Sequence, residues 1–273
     1  MRLGVSAIAW DVEEDATVAE LLQQHGVDAV DIAPGKYFSD VLRAQPADIR
    51  SVAAQWRRHG IELTGMQSLL FGTQGLNLFG DDESRQRMFA HLAAVLRIAG
   101  ELRATRLVFG SPRNRDRGAL SVAEAQLQAV AFFAALAEVA AREGVTLCLE
   151  PNPAHYACNF MTDSASTAAV VAAVNHPNIR MQLDIGALAL NGERAEDVLR
   201  QHHALVGHVH ASEPDLLPLG DGAADHVGAA AALRQHRAGA LVMIEMVATR
   251  AEPHLRSIAR ALAFAARHYG HAA

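Results

Sequence analysis

The chain has 273 residues, 51% of them hydrophobic and 20% charged, with a formal net charge of −6. This is the composition of a soluble globular protein long enough to bury a large core, and the acidic balance argues against a nucleic-acid backbone as partner. Two cysteines, Cys148 and Cys158, make no disulfide framework and fit a reducing cytoplasm; MRLGVSAIAW at the N-terminus is too short and interrupted for a secretory signal, and no apolar run approaches the roughly 20 residues that span a membrane.

Strand and helix patterns alternate along the whole chain. RLGVSAIAW reads as the first strand, and TVAELLQQHG as a helix that Gly26 ends. VDAVDIAP is the second strand, closed by Pro34, and PADIRSVAAQWRRHG the next helix. IELTGMQSLLFG gives strand three and its loop. SRQRMFAHLAAVLRIAGELRA is a long helix opening after Asp81, Asp82 and Glu83. TRLVFGSP is strand four, followed by the helix SVAEAQLQAVAFFAALAEVAAREG. Four more apolar runs follow, VTLCLE, IRMQLD, LVGHVH and LVMIE, with helices near 164–174, 194–202, 227–237 and 252–268. Alternation of this kind implies a parallel sheet. Eight units in this length favour an α/β fold closed as a (β/α)8 TIM barrel. With no linker or charge block to divide it, residues 1–273 read as a single domain.

Each of the last four strands ends on a metal-ligating side chain: Glu150, Asp184, His210 and Glu245, spaced by 34, 26 and 35 residues. One strand plus one helix of such a barrel takes about 31 residues. The four donors should therefore stand at the same end of successive strands, the end where barrel enzymes carry their chemistry. Side chains alternate along a strand, so Glu150 shares a face with Cys148, Asp184 with Gln182, His210 with His208 and Glu245 with Met243. The apolar members of the other face would pack on the helices, which turns the polar set toward the barrel axis. Three carboxylates converging there repel one another, and a divalent cation relieves the repulsion.

In MQSLLFG (66–72), VFGSPRNR (108–115), LEPNP (149–153), LDIGAL (183–188), GHVHASE (207–213), PLGDG (218–222) and IEM (244–246) the chain resembles the xylose-isomerase-like barrel superfamily. It is similar, more narrowly, to the sugar phosphate isomerase/epimerase group with its ketose 3-epimerase relatives. The resemblance implies that Glu150, Asp184, His210 and Glu245 hold the metal and that Glu150 and Glu245 also exchange the substrate proton on opposite faces. One position departs: Ala187 stands where those epimerases carry a substrate-orienting histidine. An oxygen-rich site with one imidazole suits Mn²⁺ first, with Mg²⁺, Co²⁺, Zn²⁺ and Fe²⁺ admissible.

Further residues are candidates for substrate contact. Arg113, in the loop SPRNRDRG with Arg115 and Arg117, has the geometry for a phosphate, against the reading of a solvated basic loop. Gln67 could bond a hydroxyl; Asn152 sits in a loop stiffened by two prolines; Trp10 could stack on a sugar face or pack in the wall. His208, one pleat below His210, reads as a supporting or core histidine rather than a fifth ligand, though substrate contact stays open. The resulting expectation is a metal-dependent isomerase or epimerase of a small sugar, phosphorylated by preference, acting through an enediolate. The alternatives are a sugar or cyclitol dehydratase of the same barrel and a non-catalytic sugar-binding relative. A nuclease of this superfamily would need more histidines and a basic surface. No segment reads as an interface, so a homo-oligomer stays open.

Overall fold

Eight parallel strands follow one another round a closed barrel in chain order. They are β1 (Arg2–Ser6), β2 (Ala29–Ile32), β3 (Glu62–Met66), β4 (Arg106–Phe109), β5 (Thr146–Leu149), β6 (Ile179–Asp184), β7 (Val206–Ser212) and β8 (Leu241–Glu245). The barrel closes where Arg2 to Val5 of β1 pair with Leu241 to Ile244 of β8. A computed structural model describes residues 1–270. The helices are α1 (Asp15–Gln24), α2 (Pro34–Tyr37), α3 (Pro46–Arg58), α4 (Asp82–Leu102), α5 (Val122–Glu143), α6 (Ser164–Val174), α7 (Ile185–Asn191), α8 (Ala195–His202), α9 (His226–His236) and α10 (His254–Tyr269).

The expected eight-unit α/β barrel is present, and the differences are local. The first strand stops at Ser6, whose side chain caps a 3-10 turn over Ala7–Ala9, so Trp10 has left the sheet. Pro34 does not merely close β2: it occupies the first turn of α2, where its missing N–H costs nothing. The short α7 follows β6 directly because Asp184 caps it, accepting from the Ala187 N–H at 2.6 Å. Asp81 caps α4 through Ser84 at 2.8 Å, and Ser121 with Glu124 forms a capping box on α5. One helix, α5, is long and apolar enough to cross a membrane by length and composition, contrary to the sequence expectation. Its buried face of Ala125, Ala129, Phe133, Leu136 and Ala137 instead packs within the barrel's core.

Apolar strand faces meet the helices as expected, while the lumen is polar. Asp31, Thr64, Gln182, His208 and His210 are all buried inside it. Gly4 and Gly65 leave room for this filling: a Cβ on Gly4 would strike the Met243 sulfur, and one on Gly65 would meet the Arg106 carbonyl and lie 2.7 Å from Asp31 Oδ2. Gly65→Ala should therefore destabilise the fold by about 1–3 kcal/mol through overpacking. The midpoint of urea unfolding reads it; an unmoved midpoint would mean that β3 shifts freely.

Candidate active site and metal centre

The four strand-end donors converge. Glu150 just beyond β5, Asp184 on β6, His210 on β7 and Glu245 on β8 each offer one ligand atom, all within 4.8 Å of one another. His210 Nδ1 lies 3.0 Å from Glu245 Oε2, 3.8 Å from Glu150 Oε1 and 3.9 Å from Asp184 Oδ2. The register explains the meeting: Asp184 pairs with His210, and Ser212 with Glu245, across adjacent strands.

Each carboxylate is steadied by a neighbour. Asn152 donates to Glu150 Oε2 at 2.9 Å and to the Gly110 carbonyl at 2.7 Å. Gln67 donates to Glu245 Oε1 at 2.6 Å. Ser212, fully buried, donates to Asp184 Oδ2 at 2.6 Å while accepting from the Gly186 N–H at 2.9 Å. Such outer contacts fix ligand direction. Ser212→Ala should accordingly weaken divalent-cation binding by about tenfold or more, measured by calorimetric titration; unchanged affinity would show that Asp184 needs no such guide.

The electrostatics are those of a crowded anionic centre. Burial, then Glu245 and Asp184, push the Glu150 carboxyl up to about 8. Burial and Glu245 likewise raise Asp184 to about 6. Burial opposes charge on His210, but Glu245, Glu150 and Asp184 outweigh it and hold its pKa at about 9. Burial would lift Glu245 too, yet its contact with His210 keeps it below the usual carboxylate range. Three mutually repelling carboxylates and one imidazole, nearly solvent-free, have the chemistry of a divalent-cation site.

Beneath this centre the lumen holds a second polar layer. His208 Nε2 is 2.9 Å from Asp31 Oδ2, a contact not aligned as a hydrogen bond, and Thr64 donates to Asp31 Oδ1 at 2.7 Å. With its amide nitrogen toward His208, Gln182 bridges the two imidazoles, 3.2 Å from each Nδ1. His208 therefore sits below the cluster as a support and does not line the cavity. This corrects its placement among substrate contacts.

A cavity of about 460 Å³ opens above the four donors. Gln67 and Asn152 line it, as do Glu150, Asp184 and Glu245. Two other candidates are not there. Trp10 is fully buried, donates to Asp15 Oδ1 at 2.8 Å and packs at 6.2 Å on Trp56; it is wall, because the chain turns away from the rim at Ser6. Arg113 is exposed on a 3-10 turn and outside the cavity. The same turn buries Arg115, which donates to the Glu150 backbone carbonyl at 2.8 Å and lies 5.6 Å from the Phe109 ring centroid. Glu213 lines the cavity too, but accepts from Gly220, Ala224 and His226 at 3.0–3.1 Å and ties the loop.

Sequence reasoning missed Asp31, Ser212 and the inward turn of Arg115. A β-bulge between Val30 and Asp31 sets the direction of the first, and no residue pattern announced it. Ser212 had a signal, since it lies two residues beyond His210 and shares its face.

Barrel and site together define a TIM barrel with a carboxylate-rich centre at the C-terminal rim of its strands. The chain belongs to the xylose isomerase-like TIM barrel family, which it matches over residues 19–268. No curated protein sequence gives a significant match. Among solved structures it is similar to a D-psicose 3-epimerase crystallised in the presence of D-fructose, at 19% identity and a TM-score of 0.80, covering 99% of this chain and 100% of that one. It is similar also to D-psicose 3-epimerase with D-tagatose from Clostridium cellulolyticum H10, at 20% identity and 0.82, covering 98% and 99%. A 3-keto-D-glucoside 4-epimerase from E. coli aligns at 18% identity and 0.77, covering 96% and 98%. At such identities the likeness establishes a shared fold.

Proposed function

We propose that this chain is a divalent-metal-dependent sugar isomerase or epimerase. The observation that carries the reading is the gathering of Glu150, Asp184, His210 and Glu245 within 4.8 Å at the floor of one cavity. The proteins that share the fold act on or bind small ketoses and keto-sugars, which supports a sugar as the ligand. Mn²⁺ is the cation we favour on donor type. A cytoplasmic location fits two buried, unpaired cysteines.

Glu150, Asp184, His210 and Glu245 would hold the cation. When bound, it would supply Lewis-acid polarisation of a substrate carbonyl and its neighbouring hydroxyl, lowering the cost of an enediolate. The proton work falls to the chain. Glu150 and Glu245 stand on strands separated by two others, so they reach a substrate from different sides. One carboxylate takes the proton from the carbon next to the carbonyl, and the other returns one to the opposite face, which inverts that carbon. Return to the neighbouring carbon on the same face would give aldose–ketose exchange. Asn152 and Gln67, each donating to one of the two glutamates, would keep these oxygens aimed at the substrate.

A phosphorylated substrate finds no support. Among the described residues no lysine or arginine lines the cavity; Arg113 points to solvent and Arg115 to the protein interior. We therefore read the ligand as an uncharged sugar. The test is a panel of ketoses and aldoses incubated in deuterated water with the Mn²⁺-loaded protein. Deuterium entering a carbon next to the carbonyl is the expected result, and its absence across the panel would overturn the assignment.

A further inference from the structure

The cavity lining is more apolar than polar. Beside the carboxylates its walls include Leu69, Leu70, Phe71, Pro151, Pro153 and Leu216, with Ala187 next to Asp184. Phe71 is 80% exposed at the mouth, so its ring offers apolar surface to whatever enters the cavity.

The polar groups higher in the cavity are largely spent on the protein itself. Ser111 donates to Asn114, Asn152 uses both amide protons on Gly110 and Glu150, and the Tyr156 hydroxyl accepts from the Asp215 N–H at 2.9 Å. Glu213 is consumed by its loop. Gln67 Oε1 is buried and without a partner, close to the carboxylates, and the Tyr156 hydroxyl keeps its proton to donate. A hydroxyl pressed against Phe71 or Leu216 would lose its water and gain no bond from those side chains, which is costly. A phosphate higher in the cavity would meet no lysine or arginine, and Asp215 lies in the lining.

We propose that the substrate is an uncharged sugar carrying an apolar group, aryl or alkyl, at the end remote from its reacting carbons, and that this group is received by Phe71 and Leu216. The proposal rests on the isomerase reading and narrows it. The reacting carbons and their oxygens sit at the polar floor, where Gln67 Oε1 accepts one hydroxyl. The apolar group covers Phe71 and replaces the water that this ring otherwise faces. Apolar burial, not hydrogen bonding, then distinguishes the preferred substrate from the bare sugar.

Three matched probes test this on the Mn²⁺-loaded protein by isothermal titration: a ketohexose, its terminal phosphate ester and its terminal benzyl ether. The benzyl ether should bind about tenfold or more tighter than the ketohexose, and the phosphate ester more weakly than both. Phe71→Ala combined with Leu216→Ala should bring the benzyl-to-parent affinity ratio close to one. Equal affinity of ether and parent in the native protein, or a ratio that survives the double substitution, overturns the proposal while leaving the isomerase reading intact. Deuterium exchange into the ketohexose without any benzyl preference overturns it in the same way. Failure of all three probes to bind or exchange overturns both.

Discussion

Glu245→Gln should reduce solvent-deuterium incorporation into a substrate sugar by about 10²–10⁴-fold, the range a positioned acid–base group commonly supplies. The substitution keeps shape and removes the negative charge, and with it both the proton-accepting capacity of one oxygen and one anionic ligand to the cation. In the native protein Glu245 accepts from Gln67 at 2.6 Å and lies 3.0 Å from His210. Its low affinity for protons, maintained by His210, leaves it ionised and ready to accept one. Glu150 differs: burial and its neighbours favour the protonated form up to about pH 8. Those preferences belong to the metal-free centre; a bound cation would displace the Glu150 proton and leave both carboxylates able to exchange one with substrate. Circular dichroism of Glu245→Gln should stay near native, and with Mn²⁺ raised until calorimetric titration shows the variant saturated, lost exchange would report chemistry rather than lost cation. Native-level exchange in the variant would remove Glu245 from the proton path.

The barrel and the four strand-end donors were legible because they depend on periodicities that survive in a linear string. Helix caps such as Ser121 with Glu124 and the Gly144 terminator mark boundaries directly, and the regular spacing of Glu150, Asp184, His210 and Glu245 encodes their common height. Side-chain direction in loops has no such period. Arg113 and Arg115 are two residues apart on one 3-10 turn, yet one is in solvent and the other is fully buried against Phe109. Trp10 looked like a rim residue because the apolar run continues past Ser6, although the hydrogen bonding of the strand does not. Asp31 was invisible for another reason: its meaning comes from His208, which lies five strands away in the sequence and across the lumen. Local pattern predicts which residues end a strand, and tertiary closure decides which of them find a partner.

Adding Mn²⁺ to the metal-free protein should raise its melting temperature, and the increment should grow as the pH is raised from about 6 to about 8.5. Without a cation the centre binds protons more tightly folded than unfolded: Glu150 is raised to about 8, Asp184 to about 6 and His210 to about 9. A group whose pKa is raised on folding contributes stability that is complete below its unfolded value and is lost as the pH climbs through its folded value. For these three the loss runs from near pH 4 for Asp184 to near pH 9 for His210. Glu245 has the opposite sign, but its contribution is already complete above the normal carboxylate range, so it does not offset the decline between pH 6 and 8.5. A cation displaces the same protons, so its affinity rises over the interval in which the metal-free centre becomes strained. At a hundredfold excess over Kd the added stability is about 2.7 kcal/mol, and at about 2–4 °C per kcal/mol for a chain approaching this size the shift is roughly 5–10 °C. Paired scans with and without metal at each pH cancel titrations elsewhere in the chain. His210→Ala, which removes one donor and the charge that holds Glu245 ionised, should abolish most of the increment. An increment that shrinks with rising pH, or that persists undiminished in His210→Ala, would place the cation away from these four side chains.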